Sequence, residues 1–145
     1  MPRIEESVEI NHPPEKVFAY TTEANNWPKW QTFIIEAEKT SAGQIAIGTM
    51  FRGKNRMMGL TMKWTAKVTE YKPNSKWGKN IKSGSMIIEE QLTFSPKEKG
   101  VKFTIVYDMK IGGILKLFSP MVVSTMRKET KKSLINLKEI LEAQA

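Results

Sequence analysis

Glu90 is the residue whose position most directly suggests chemistry. It follows Met86 and Ile88 and precedes Leu92 and Phe94 at steps of two, so in a strand it shares their apolar face. An ionised carboxylate on such a face is costly unless it is paired or protonated. It can bind a ligand hydroxyl there, or act as a general acid or base with a raised pKa. The plainer expectation is an ion pair or hydrogen bond to a basic neighbour such as Arg52 or Arg56, or a bulge that turns it outward. Glu90 therefore stands as a weak catalytic candidate, and no catalytic residue is assigned. Tyr107 alternates with Phe103, Ile105 and Met109 and can offer a phenol to the same space, although a buried tyrosine commonly finds a backbone acceptor.

Other chemistries find little support. The chain has no cysteine and one histidine, which excludes thiolate chemistry and leaves no basis for a structural zinc site or other metal. No cofactor is expected. His12 precedes two prolines and reads as a turn or cap residue. Gly53-Lys54 lacks the upstream glycine and the following Ser or Thr of a phosphate-binding loop.

The same alternation nominates the walls of a ligand pocket: Met62, Trp64, Met86, Ile88, Tyr107 and Met109 from strands, with Met121, Val122, Thr125 and Met126 from a covering helix. Glu90, Tyr107 and Arg52 would orient a guest. These apolar positions are equally what a plain core would use. Nine methionines in 145 residues tilt the reading, because methionine suits surfaces that accept varied apolar partners. Thr130 and Ser133, small residues in the helix stripe, point to a gap beneath its middle.

These residues need elements to hold them. Val123, Met126, Thr130, Leu134, Leu137 and Leu141 recur at steps of three and four, one stripe of an α-helix with Val122, Ser133 and Ile140 on its flank. This helix fills the stretch between Gly112-Gly113 and Ala145. Before it the chain reads as strands over 3–11, 31–39, 49–55, 60–71, 76–82, 85–95 and 101–110. Short helical pieces start at Pro13-Pro14 and at Glu23 to Asn26, ahead of an anchored corner at Trp27-Pro28-Lys29-Trp30. Within 60–71, Leu60, Met62, Trp64, Ala66 and Val68 alternate with Thr and Lys, as a sheet with one wet face requires. A strand of about eleven residues and a helix of about 24 both span about 36 Å, so one helix can lie along the whole sheet. The expectation is an α+β fold, one domain over residues 1–145.

A net charge of +8 invites a nucleic-acid reading. The lysines, however, alternate along strands at Lys63, Lys67, Lys102 and Lys110, where they form a solvated face, and no nucleic acid is expected as a partner. Arg127, Lys128, Lys131 and Lys132 are the wet side of the helix, and offer a transient contact with a membrane surface or an acidic partner. No apolar run reaches the roughly 20 residues of a membrane span, and Met1 to Glu6 lacks the apolar core of a signal peptide. These features lead us to expect a cytoplasmic monomer or homodimer.

The chain resembles the START-related superfamily, also called Bet v 1-like, SRPBCC or polyketide cyclase/dehydrase-like. The resemblance runs along essentially the whole chain. It rests on Ile10 with Pro13-Pro14-Glu15-Lys16-Val17-Phe18, on Trp27-Pro28-Lys29-Trp30, on Gly48-Thr49-Met50-Phe51, on Trp64 to Pro73, and on Leu134-Ile135-Asn136-Leu137-Lys138. It implies a helix-grip fold, a curved seven-stranded antiparallel sheet around a long C-terminal helix with two short helices after the first strand. It also implies a cavity for lipids, sterols, quinones or polyketides. Family members include cyclases, dehydratases and a branch that stimulates the Hsp90 chaperone, without a universal catalytic residue. The leading expectation is a carrier of a hydrophobic or amphipathic small molecule; the alternatives are a small-molecule enzyme using Glu90, or a chaperone-cofactor-like interaction module.

Overall fold

The computed structural model describes residues 2–144. Strand β1 (Arg3–Ile10) leads into α1 (Pro14–Thr22), a 3-10 turn (Ala24–Asn26) and α2 (Trp27–Trp30). Strands β2 (Ile34–Lys39), β3 (Met50–Met57), β4 (Leu60–Lys72), β5 (Lys76–Ser83), β6 (Met86–Lys97) and β7 (Gly100–Ile111) follow. A 3-10 turn (Gly113–Phe118) then delivers the chain into α3 (Ser119–Glu142). Two differences from the sequence reading stand out. The second strand starts later, because Gln31 still closes the α2 turn through its N–H to the Trp27 carbonyl. The C-terminal helix also starts later, at Ser119-Pro120, where proline suits a first turn that needs no donor.

The seven strands form one antiparallel sheet in the order β1-β7-β6-β5-β4-β3-β2. Its alternation is clean: along β6, Met86, Ile88, Glu90, Leu92 and Phe94 are buried while Ile87, Glu89, Gln91 and Ser95 are exposed. The buried rows make a concave face that grips α3. Register is fixed by the buried face, since a slip of one residue would turn each apolar row outward. Bulges between Ile34 and Glu36 and between Val68 and Glu70 mark where the sheet bends.

Helix α3 buries Val122, Met126, Thr130, Ser133, Leu134, Leu137 and Leu141. The buried stripe is thus rotated slightly toward Val122 and Ser133, and Val123 is only partly covered. Polar contacts set its position lengthwise. Ser133 Oγ accepts from the Thr32 N–H at 3.0 Å, Glu142 Oε2 accepts from the Asn11 N–H at 2.9 Å, and Lys138 Nζ donates to the Glu9 carbonyl at 2.6 Å. The gap expected under Thr130 and Ser133 is therefore not there. Thr130 folds back on the Met126 carbonyl, and Ser133 receives the chain leaving α2.

Candidate functional site

The core divides along α3. Its C-terminal half packs against β1 and the chain leaving α2, whereas its N-terminal half leaves a small hollow at Met126. From the sheet and α2 this hollow is walled by Trp27, Asn55, Met57, Met62, Trp64, Lys79, Ile81, Met86, Ile88, Glu90 and Tyr107. Its volume is about 30 Å³, room for about one water molecule. Met57, Met62 and Met86 also wall an open apolar cleft of about 300 Å³. That cleft is the mouth, bounded by Met58 and Leu60 on one side and by Ile114, Phe118, Met121 and Val122 on the other.

A polar row crosses the floor of the hollow. Register places Lys79 of β5 opposite Glu90 of β6, and Glu90 opposite Tyr107 of β7. Lys79 Nζ lies 2.7 Å from Glu90 Oε1, with 4% and 2% of their side chains exposed. The ammonium also sits 4.0 Å from the Trp27 ring centroid and 4.7 Å from that of Trp77, so two indole faces add to the carboxylate in offsetting its lost hydration. Trp27 is itself fixed by its Nε1–H, which donates to the Thr21 carbonyl at 2.7 Å, and by stacking on Trp77. This is the anchored corner foreseen at Trp27-Pro28-Lys29-Trp30. The Tyr107 phenol has its pKa raised well above 10.0, first by burial and then by the charge of Glu90 and a hydrogen bond to it; it is a neutral donor.

Several polar atoms in this region have no hydrogen-bond partner among the described residues. They include Trp64 Nε1, Asn55 Oδ1 and Glu90 Oε1. The last makes its ion pair with Lys79 at close range, but away from the direction of a hydrogen bond. Orphaned buried donors and acceptors in native proteins call for an explanation, and a wall shared with a hollow is the place where a guest could satisfy them. The indole of Trp64 reaches this wall only because Gly53 lies beneath it. A Cβ on Gly53 would meet Trp64 Cζ2 at 2.6 Å and also the Glu36 carbonyl.

Among the residues nominated from sequence, Met62, Trp64, Met86, Ile88, Glu90, Tyr107 and Met126 line the hollow, and Met121 and Val122 line the mouth. Three lie elsewhere. Arg52 points to the outer face, pairs with Glu38 and is exposed, because Phe51 and Gly53 take the inward positions of β3. It cannot orient a guest in the hollow, and the expected partners of Glu90, Arg52 or Arg56, give way to Lys79. Thr125 borders an outer groove with Thr32, Arg56 and Glu129. Met109 is completely buried in packed core. Lys79 was missed, although the run Trp77, Lys79, Ile81 places it inward by the same rule that placed Glu90. Asn55 and Met57 were missed because the strand was expected to end at 55, whereas β3 runs on to Met57. Among the described residues no cluster of His, Asp and Glu could hold a metal ion, and no helix is long and apolar enough to cross a membrane.

Comparison with known proteins places this architecture. No curated protein matches the chain. Among solved structures, a protein from Thermus thermophilus is similar over 99% of both chains, with a TM-score of 0.84 at 17% identity. A START superfamily protein from Mycobacterium smegmatis is similar over 99% of both, with a TM-score of 0.83 at 12% identity. The Zhui aromatase/cyclase of a Streptomyces species covers 99% of this chain and 94% of its own, with a TM-score of 0.83 at 11% identity. At such identities the likeness is one of fold. The family model described as polyketide cyclase / dehydrase and lipid transport matches residues 1–142, and the chain belongs to that family.

Proposed function

We propose that this protein holds an amphipathic small molecule, lipid-, quinone- or polyketide-like, between the concave face of the sheet and the N-terminal half of α3. The observation that carries the reading is the row Lys79, Glu90 and Tyr107, sunk in an otherwise apolar wall beside the unpartnered Trp64 Nε1 and Asn55 Oδ1. A core built only for stability gains little from a buried ion pair, since apolar residues of similar volume commonly serve as well or better. Lys79 and Glu90 already neutralise one another, so the fitting end of a guest is uncharged and both donates and accepts, as a hydroxyl does. Apolar area supplies the affinity, at about 25 cal/mol per Å² removed from water.

The hollow of about 30 Å³ must widen to take such a guest. The wall next to the mouth is methionine at Met57, Met62 and Met86, with Met126 above. Unbranched thioether side chains repack more readily than branched ones, so motion of these side chains is the first route by which the hollow would open into the cleft.

The test is native mass spectrometry of gently purified protein, joined to tryptophan-fluorescence titration with a long-chain alcohol, the matching alkane and the matching fatty acid. Co-purification of an amphipathic guest is expected, with the alcohol bound about tenfold more tightly than the alkane, as one or two buried hydrogen bonds would give. Equal affinity for all three probes, or no binding of any, would overturn the reading.

A further inference from the structure

We infer that the mouth end of the molecule docks on an anionic bilayer surface. The observation is a juxtaposition of exposed apolar side chains with a rim of unpaired bases. The β3–β4 hairpin, the β5–β6 hairpin and the 3-10 turn that leads into α3 all meet at one end of the sheet. From the first, from the third and from the first turn of α3 project Met58, Leu60, Ile114, Leu117, Phe118 and Met121, with exposures from 45% for Met58 to 79% for Leu117. Such a concentration marks an interaction site, whereas single exposed apolar residues do not. Met58 is the more telling because it sits at φ 54°, a turn position that asparagine or glycine fills with less strain.

Charge selects the partner. No Asp or Glu occurs from 39 to 69, from 71 to 88 or from 109 to 128, the stretches that build this end. Around it stand Arg56, Lys63, Lys82, Lys110 and Lys116, all exposed and none in an ion pair among the described residues. The acids that border the second and third of these stretches are already engaged: Glu89 with Asn80, Asp108 with Arg3, and Glu129 with Thr32 and Lys132. Apolar side chains that can enter the acyl boundary, ringed by lysines at head-group level, match a bilayer with anionic lipid. An interface with a second copy would set these uncompensated bases against their own kind. The orientation also turns the mouth, with Met57, Met62 and Met86 behind it, toward the acyl chains.

Co-sedimentation with vesicles tests this, comparing phosphatidylcholine alone with phosphatidylcholine containing phosphatidylglycerol. Binding is expected only when the anionic lipid is present, and is expected to weaken as salt rises. Lys110→Glu with Lys116→Glu should weaken it at least about tenfold, since each basic side chain near such a surface is worth about fivefold. Leu117→Asp with Phe118→Asp should abolish it by removing the inserted side chains. All four residues are exposed, and an unchanged thermal melt shows that each variant is folded. Absence of binding to anionic vesicles would overturn the inference, as would equal binding to both kinds. So would concentration-dependent self-association that Leu117→Asp with Phe118→Asp removes while vesicles bind nothing. The inference does not need a guest in the hollow: the alcohol titration of the same variants reads the two proposals separately.

Discussion

Lys79 and Glu90 face one another across β5 and β6, their charged atoms 2.7 Å apart and almost closed off from solvent, with the indoles of Trp27 and Trp77 both close to the ammonium. Each charge is tolerated in the interior because the other is present. Removing one leaves its partner buried and uncompensated, a far larger penalty than the net contribution of the intact pair.

Lys79→Met should therefore destabilise the protein by about 3–5 kcal/mol, and Glu90→Leu by a similar amount. The double variant should recover most of that loss, because both charges go together. Urea denaturation of the four proteins closes the cycle. Losses that simply add would show that the two side chains do not depend on each other. The double variant should also lose the preference for the alcohol over the alkane, while its affinity for the alkane persists.

Gly53 and Trp64 form a second dependent pair, directly opposite in the β3–β4 register. Gly53→Ala drives a methyl group into the Trp64 indole at 2.6 Å and into the Glu36 carbonyl. Backbone and a rigid ring cannot both yield, so a loss of about 1–3 kcal/mol is expected, as for overpacking. Displacement of the indole should change its fluorescence as well. An unaltered melting temperature and emission spectrum would show that the strands part freely here.

Stability should fall at both ends of the pH scale for identifiable reasons. The Tyr107 phenol is held above its ordinary value of 10.0, foremost by burial. The unfolded chain ionises it first, so its contribution is complete below pH 10 and is lost as alkali climbs toward the folded value. Tyr107→Phe should flatten that alkaline decline. The Glu142 carboxyl lies below its ordinary 4.5, foremost through the Asn11 N–H and then through Lys138. Its contribution is present above 4.5 and disappears as acid brings the pH down through the lower folded value. Glu142→Gln should therefore melt earlier than the parent at neutral pH and converge with it in acid. Denaturation midpoints across pH measure both effects; parallel curves for variant and parent would contradict the assignment.

Sequence alone determined which faces are buried. Period-two runs such as Met86, Ile88, Glu90, Leu92 and Phe94, and the helical stripe from Val122 to Leu141, are local patterns, and solvent sorts apolar from polar along each element without knowledge of its neighbours. The order of elements and the matching lengths of strand and helix then left few ways to cover the sheet. Which inward side chain meets which was decided only in three dimensions. Lys79 and Glu90 are joined by register across a hairpin, and Arg52 is excluded because Phe51 and Gly53 claim the interior of β3. The size of the hollow is likewise a tertiary outcome, since close packing responds to single methylene groups and no pattern of alternation records how far Met62, Met86 and Met126 extend into the space they share. The acid-free rim was written in the chain throughout, but only the fold brings its separate stretches to one end of the molecule.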